Sequence, residues 1–219
     1  FSRRTMSRIL AQPIFRDAVL FGKFLGGLTV IAIALLTLWL LMTGLGILFL
    51  GLPPSAGDVA RGLAYLVATL VYAGVWLALA ICFSTLVRAP ATSALAALSV
   101  WLIFSIFWSM LTPLIAQVVA PINPLDPFSI VRQFEAQQAI ARLSPGTLYG
   151  EMSQMLLDPS ARSVGPVFIT QLQGALVGAP LPTLQSILII WPQFAGLVAA
   201  MLVLFTLAYV VFQRQEVRA

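Results

Sequence analysis

Four long stretches of this chain contain no charged side chain, and they constrain the fold more than any other feature. Residues 24–57, 62–87, 89–125 and 187–212 hold no Asp, Glu, Lys or Arg. A helix crosses the roughly 30 Å hydrocarbon core of a bilayer with about 20 apolar residues, and each stretch is long enough. A membrane strand would alternate apolar and polar positions over about ten residues. These runs are continuous instead, which argues against a β-barrel. Composition agrees, with 60% hydrophobic and 9% charged residues and a mean hydropathy of +1.01. A water-soluble domain carries about 25% charged residues. The expected fold class is all-α, a polytopic helical membrane protein with four spans in this chain.

The residues between the runs set the divisions. Residues 1–23 form a basic arm. Three spans follow within residues 24–118, at about 25–50, 62–87 and 91–118, with boundaries good to a few residues. Pro53, Pro54, Gly57, Asp58 and Arg61 mark the first turn, and Arg88, Ala89 and Pro90 the second. Pro113 predicts a kink or a break in the regular hydrogen-bond ladder. Residues 119–186 form a long connector. Residues 187–212 make the last span, with Pro192 in its first turns, where a missing N–H is tolerated. Residues 213–219 are a short tail.

Charge predicts the orientation. Arg3, Arg4, Arg8, Arg16 and Lys23 precede the first span, Arg88 fills the second turn, and Arg214 and Arg218 follow the last span. Four spans put all of them on one side, which the positive-inside rule assigns to the cytoplasm. Both chain ends are then cytoplasmic. The connector holds Arg132, Arg142 and Arg162 against Asp126, Glu135, Glu151 and Asp158. Its slight acidity suits the outer side.

Residues 119–186 are too many for a structureless link. Asp126 before Pro127 is placed to cap a helix whose apolar positions include Phe128, Val131, Phe134 and Ile140. The run from Leu143 to Gly146 ends it. Ser144 or Thr147 would cap a second short helix carrying Leu148, Met152, Met155 and Leu156. Residues 168–177 are a weaker third candidate. The expectation is a small helical extracytoplasmic cap lying on the membrane face. It is either a folded connector, or a gate or docking surface for an extracytoplasmic accessory protein.

The chain has no His and a single Cys, Cys82. That excludes an internal disulfide and argues against zinc, haem and His-based acid–base sites. No catalytic residue, metal or cofactor is expected in the chain. The net charge of +5 marks membrane flanks, since no aromatic and basic platform for nucleic acid accompanies it. No span holds a central charge, which disfavours a proton relay. Thr29, Thr37 and Thr43 recur along the first span, and Ser99, Ser105 and Ser109 along the third. They either line a path or bond the preceding turn's carbonyls. The chain starts at Phe1, with no signal peptide visible, and reads as a piece of a longer protein.

The arm is the most informative stretch. Residues 5–13 form a short amphipathic helix ended at Pro13. Asp17 begins a second helical run, where a carboxylate favours the helix dipole, and this run continues into the first span. Lys23 sits at the interface, where its stem snorkels. Gly22, Gly26 and Gly27 thin one side of the helix for close contact. A helix on the membrane face joined to a span is a handle, through which a soluble partner would move the span.

Thr5, Leu10, Gln12, Pro13, Arg16, Asp17, Gly22 and Lys23 resemble the cytoplasmic loop of ABC-2 type permeases, the membrane subunits of ATP-binding-cassette transporters. The match resembles the branch of the nitrous-oxide-reductase maturation and gliding-motility permeases most, although Arg4 stands where that branch has glycine. The ending Phe212-Gln213-Arg214-Gln215-Glu216 is similar too. The resemblance implies six spans, of which this chain holds the last four. It implies a separate cytoplasmic ABC ATPase subunit, which carries ATP and Mg, and a second permease copy or homologue in the bilayer. The family resides in the bacterial or archaeal cytoplasmic membrane. It assigns coupling to Thr5, Arg8, Ile9, Leu10, Gln12, Pro13, Ile14, Arg16 and Asp17. Ile9, Leu10 and Ile14 would act by packing, and Arg8, Arg16 and Asp17 by charge.

The chain itself has no Gly-x-x-x-x-Gly-Lys-Ser/Thr phosphate loop. ATP hydrolysis is therefore expected on the partner. The competing reading is a membrane anchor that docks a soluble complex and transports nothing. A membrane enzyme is a third class, but Asp126, Glu135, Glu151 and Asp158 are scattered rather than clustered.

Overall fold

The computed structural model describes residues 16–51, 53–87, 89–126, 128–158 and 183–214. The elements are α1 (Arg16–Leu50), α2 (Ala56–Leu86), α3 (Pro90–Leu102), a π-helical turn (Ile103–Phe107), α4 (Trp108–Val119), α5 (Ser129–Ala141), α6 (Pro145–Leu157), α7 (Thr183–Ile189) and α8 (Trp191–Arg214). The helix α3, the π turn and α4 run on as one rod over Pro90–Val119. Among the described residues four helices are long and apolar enough to cross a membrane: α1, α2, the rod and α8. The fold is an all-α polytopic membrane protein. The weak third candidate at residues 168–177 lies outside the described residues.

Local chemistry explains the ends. The helix α1 closes on Gly51, whose φ of 69° is the left-handed conformation that glycine adopts without steric penalty. Its N–H reaches the carbonyl of Ile47 at 2.9 Å, satisfying an otherwise orphaned acceptor. The next helix starts with a capping box. The Asp58 carboxylate accepts from the Ser55 N–H at 3.0 Å, and the Asp58 N–H donates to the Ser55 hydroxyl at 3.2 Å. Hence α2 takes in Asp58 and Arg61 and begins well before the uncharged run. Pro90, in the first turn of α3, needs no N–H partner there.

The central helix is α2. It packs on α1, α3, α6 and α7, and most extensively on α8. One core cluster joins Leu20 and Phe24 of α1, Ala78, Ile81 and Cys82 of α2, and Phe205 and Ala208 of α8. This is the Lys23 end of the bundle. The other cluster joins Ala68 and Val75 of α2, Met152, Met155 and Leu156 of α6, and Ile190 and Leu197 near the start of α8. This is the Asp58 end. Large apolar side chains cover the outside, among them Val30, Leu48 and Phe49 of α1 and Ile106, Met110 and Val118 of the rod. An apolar surface of that extent suits lipid as the surrounding solvent.

Candidate functional site

Two regions carry the chemistry. The first is the Lys23 end. Leu20 and Phe24 lie four residues apart on α1, so they share one face. Both are buried in the cluster that α1 shares with α2 and α8. The Phe24 ring lies 4.7 Å from that of Phe205, and the Phe21 ring meets Phe205 edge-on at 4.9 Å. The first turns of α1 are therefore joined to α8 through three aromatic rings.

Thr5, Arg8, Ile9, Leu10, Gln12, Pro13 and Ile14 lie outside the described residues. Arg16 and Asp17 form the first turn of α1. Lys23 is exposed. Gly27 faces α2, where a Cβ would come 3.0 Å from Leu77 Cδ2. Gly22 and Gly26 have open space around them, so neither is held by a close contact among the described residues.

The second region is the helix pair α5 and α6, called the hairpin for the short turn at residues 142–144 that joins them; each packs mainly on other helices. The helix α5 packs along α4, and the Trp108 indole N–H donates to the carbonyl of Ile140 at 3.1 Å. Asp126 lies two residues before Phe128, which precedes α5. Its carboxylate accepts from the Phe128 N–H at 2.9 Å and pairs with Arg132 at 2.7 Å. Ser144 caps α6 by accepting from the Gly146 N–H at 3.1 Å. The same hydroxyl donates to the carbonyl of Phe104 at 2.8 Å.

The tip of the hairpin therefore sits beside the middle of the rod. From Pro90 to Phe104 is roughly 21 Å of helical rise. On the other side the ring of Tyr149 stacks on that of Tyr72 at 4.4 Å, near the middle of α2. Its hydroxyl bonds those of Tyr65 at 2.8 Å and Thr69 at 3.0 Å. The connector is thus more than a cover resting on the ends of the spans: α6 is inserted among them, with Met152, Met155 and Leu156 almost fully buried.

A polar cluster ties this hairpin to α8. The Glu151 carboxylate accepts from Arg142 Nε at 3.1 and 3.2 Å and from Gln193 Nε2 at 3.0 Å. Gln193 is buried, and its Oε1 has no hydrogen-bond partner among the described residues. The burial of Gln193 raises the value of its bond to Glu151. Sequence reading missed this cluster. The available signal was Gln193, an amide in the first turn of an otherwise apolar run.

The hydroxyls along the spans divide clearly. Thr29, Thr37 and Thr43 donate to the carbonyls of Leu25, Ile33 and Trp39 at 2.7–2.8 Å. Ser99 does the same to Leu95 at 2.8 Å, and Ser109 bonds Ile106 at 3.0 Å. These are local back-bonds rather than a polar path. Ser105 is the exception: its Oγ is buried and has no partner among the described residues. It lies in the π turn, beside a cavity of about 340 Å³ at the hairpin tip.

Sequence comparison places these features in a family. The pattern of the ABC-2 family transporter proteins matches residues 2–217. No curated protein and no solved structure matches the chain. With nearly its whole length matched, and with four helices able to span a membrane, the chain belongs to the ABC-2 family of transporter membrane proteins.

Proposed function

We propose that the chain is the permease subunit of an ABC-2 transporter, driven by a separate cytoplasmic ATPase that docks on residues 5–13. The observation that carries the reading is the packing of Phe21 and Phe24, near the start of α1, against Phe205 of α8. The helix α1 begins at Arg16, three residues on from the end of the proposed docking segment at Pro13. A push on that segment moves the first turns of α1, and the aromatic contacts pass it to α8. The same α8 carries Gln193, bonded to Glu151 of the hairpin. One rigid helix thereby joins the ATPase side to the inserted hairpin.

In this reading Ile9, Leu10 and Ile14 pack against the ATPase, and Arg8, Arg16 and Asp17 pair with its charges. ATP and Mg reside on that partner. The motion exchanges two arrangements of the spans. The basic flanks support a cytoplasmic side for both chain ends, and the resemblance supports a bacterial or archaeal cytoplasmic membrane. The exposed apolar faces of α1 and the rod leave room for lipid and a second permease copy. The resemblance from Thr5 to Lys23 is what supports the branch that includes the nitrous-oxide-reductase maturation and gliding-motility permeases.

The test is affinity purification of the full-length protein from its membrane in mild detergent, with and without residues 5–13. The expected result is an ABC ATPase that co-purifies with the intact protein and is lost on deletion. A stable complex that contains no ATPase would overturn the proposal and favour a membrane anchor.

A further inference from the structure

A cavity of about 300 Å³ lies at the Asp58 end of the bundle, where α1, the start of α2 and the end of α6 meet. Trp39, Asp58, Val59, Arg61, Leu156 and Leu157 are among its walls. Its depth follows from α2. Gly62, which also borders it, opens the uncharged run of that helix and lies roughly 36 Å of helical rise from Leu86 at the other end. The hydrocarbon core is about 30 Å thick and the whole bilayer about 40–45 Å. The cavity therefore sits at headgroup level, where tryptophan is enriched.

Two accessible groups and one charge set its chemistry. The Trp39 indole nitrogen packs against Gly62, where an added Cβ would come 2.7 Å from it. Unlike that of Trp76, this nitrogen is not enclosed, and its N–H has no acceptor among the described residues. Asp58 is exposed. Its bonds from the Ser55 N–H and hydroxyl, at 3.0 and 2.7 Å, both reach Oδ2 and leave Oδ1 available. Arg61 is buried and its Nη1 is enclosed. It acts through its charge, which is felt across the wall without a direct bond.

Charges of both signs thus border one small space. A purely anionic headgroup meets Asp58, and a purely cationic one meets Arg61. An apolar group leaves the indole N–H and the carboxylate unanswered. A zwitterion avoids all three penalties. Asp58 and Arg61 stand three residues apart on α2, about 4.5 Å along the axis. A phosphate and an ammonium joined by a two-carbon link are separated by a similar distance. The ammonium must be primary, since a quaternary one has no N–H to donate to Asp58. Val59, Leu156 and Leu157 give the apolar wall that the tail side of a headgroup needs.

We infer that this cavity holds a phosphoethanolamine headgroup, its phosphate on the Trp39 N–H beside Arg61 and its ammonium on the Asp58 carboxylate. The site needs neither ATPase nor transport, so its test is separate from that of the permease reading.

The experiment places full-length protein in vesicles of equal parts phosphatidylethanolamine, phosphatidylcholine and phosphatidylglycerol. Native mass spectrometry then counts the lipids that stay bound on release. The expected result is one phosphatidylethanolamine, retained about tenfold above its share of the mixture. Trp39→Phe keeps a ring and loses the N–H, and retention should fall by about tenfold, the effect of one hydrogen bond to a charged group. Asp58→Asn removes the charge that opposes Arg61, so the preference should move to phosphatidylglycerol. Leu157 is exposed at the rim, and Leu157→Trp should exclude the headgroup without altering a polar group. An unchanged melting temperature shows that each variant is folded. Soluble glycerophosphoethanolamine separates the two sources of the headgroup. Displacement of the lipid by it supports the site with a soluble ligand, and persistence of the lipid supports the site with a membrane one. Retention in proportion to the mixture, a wild-type preference for phosphatidylglycerol, or unchanged retention in Trp39→Phe and Leu157→Trp would each overturn the inference.

Discussion

The Ser144 hydroxyl donates a 2.8 Å hydrogen bond to the Phe104 carbonyl while accepting one from the Gly146 N–H. One oxygen thus caps α6 and fixes it to the π turn of the rod. A widened turn of this kind leaves backbone carbonyls off the regular ladder, and here a side chain from another helix satisfies one of them. Ser144→Ala removes both bonds. It should cost about 1–3 kcal/mol of stability, read as a lower melting temperature in nanodiscs. Ser144→Thr keeps the hydroxyl and should recover most of the loss.

Glu151 and Gln193 join the hairpin to α8 through a 3.0 Å bond. Gln193→Leu leaves the Glu151 carboxylate with Arg142 alone. The expected outcome is continued ATP hydrolysis with transport reduced by about tenfold or more, the equivalent of one buried hydrogen bond of about 1.4 kcal/mol. Paired assays of hydrolysis and transport check it. Glu151→Ala should destabilise the fold more than Gln193→Leu, because it leaves both donors without their acceptor.

Phe205 packs against Phe21 and Phe24 at the Lys23 end. Phe205→Ala opens a cavity between α1 and α8. Its cost should fall below the roughly 3–5 kcal/mol typical of water-soluble cores, because lipid is as apolar as the lost contact. Phe205→Leu should cost less again. If the aromatic contact transmits motion, transport per ATP hydrolysed falls in Phe205→Ala even at a temperature where the protein stays folded.

The glycines of the first two helices give a contrast. A Cβ on Gly62 would come 2.7 Å from the Trp39 indole nitrogen, so the ring would have to shift. Gly62→Ala should therefore separate α1 from α2 and lower the melting temperature by several degrees, the effect of about 1 kcal/mol or more. Gly22 and Gly26 have open space. Alanine there should leave stability unchanged or raise it by up to about 1 kcal/mol through helix propensity. Loss of ATPase association in Gly22→Ala, with the melting temperature retained, would place a partner surface at that glycine.

The parts of the fold that follow from lipid as solvent were legible. Uncharged runs located α1, α2, the rod and α8, because a span has no other way to satisfy its backbone. Ser144 was readable as a cap from its place before Pro145. Ser55 and Asp58 are an equally readable capping box, and it starts α2 before the uncharged run at residue 62. The insertion of α6 was not legible. Leu148, Met152, Met155 and Leu156 give the same apolar face whether a helix lies on headgroups or is buried among spans. The π turn had no signal, since Ile103-Phe104-Ser105-Ile106-Phe107 reads as ordinary apolar helix. Ser105 looked like Thr29 or Ser99 until their carbonyl partners were visible and its own was not.

The central claim is that an ATPase acts on this permease through residues 5–13. Its most direct measurement is the hydrolysis rate of the partner ATPase in proteoliposomes, with full-length permease and with a variant lacking residues 5–13. The account predicts a stimulated rate with the intact permease and a basal rate with the variant, while the melting temperature of the α1–α2–α8 bundle stays unchanged. Equal stimulation by a folded variant would contradict it.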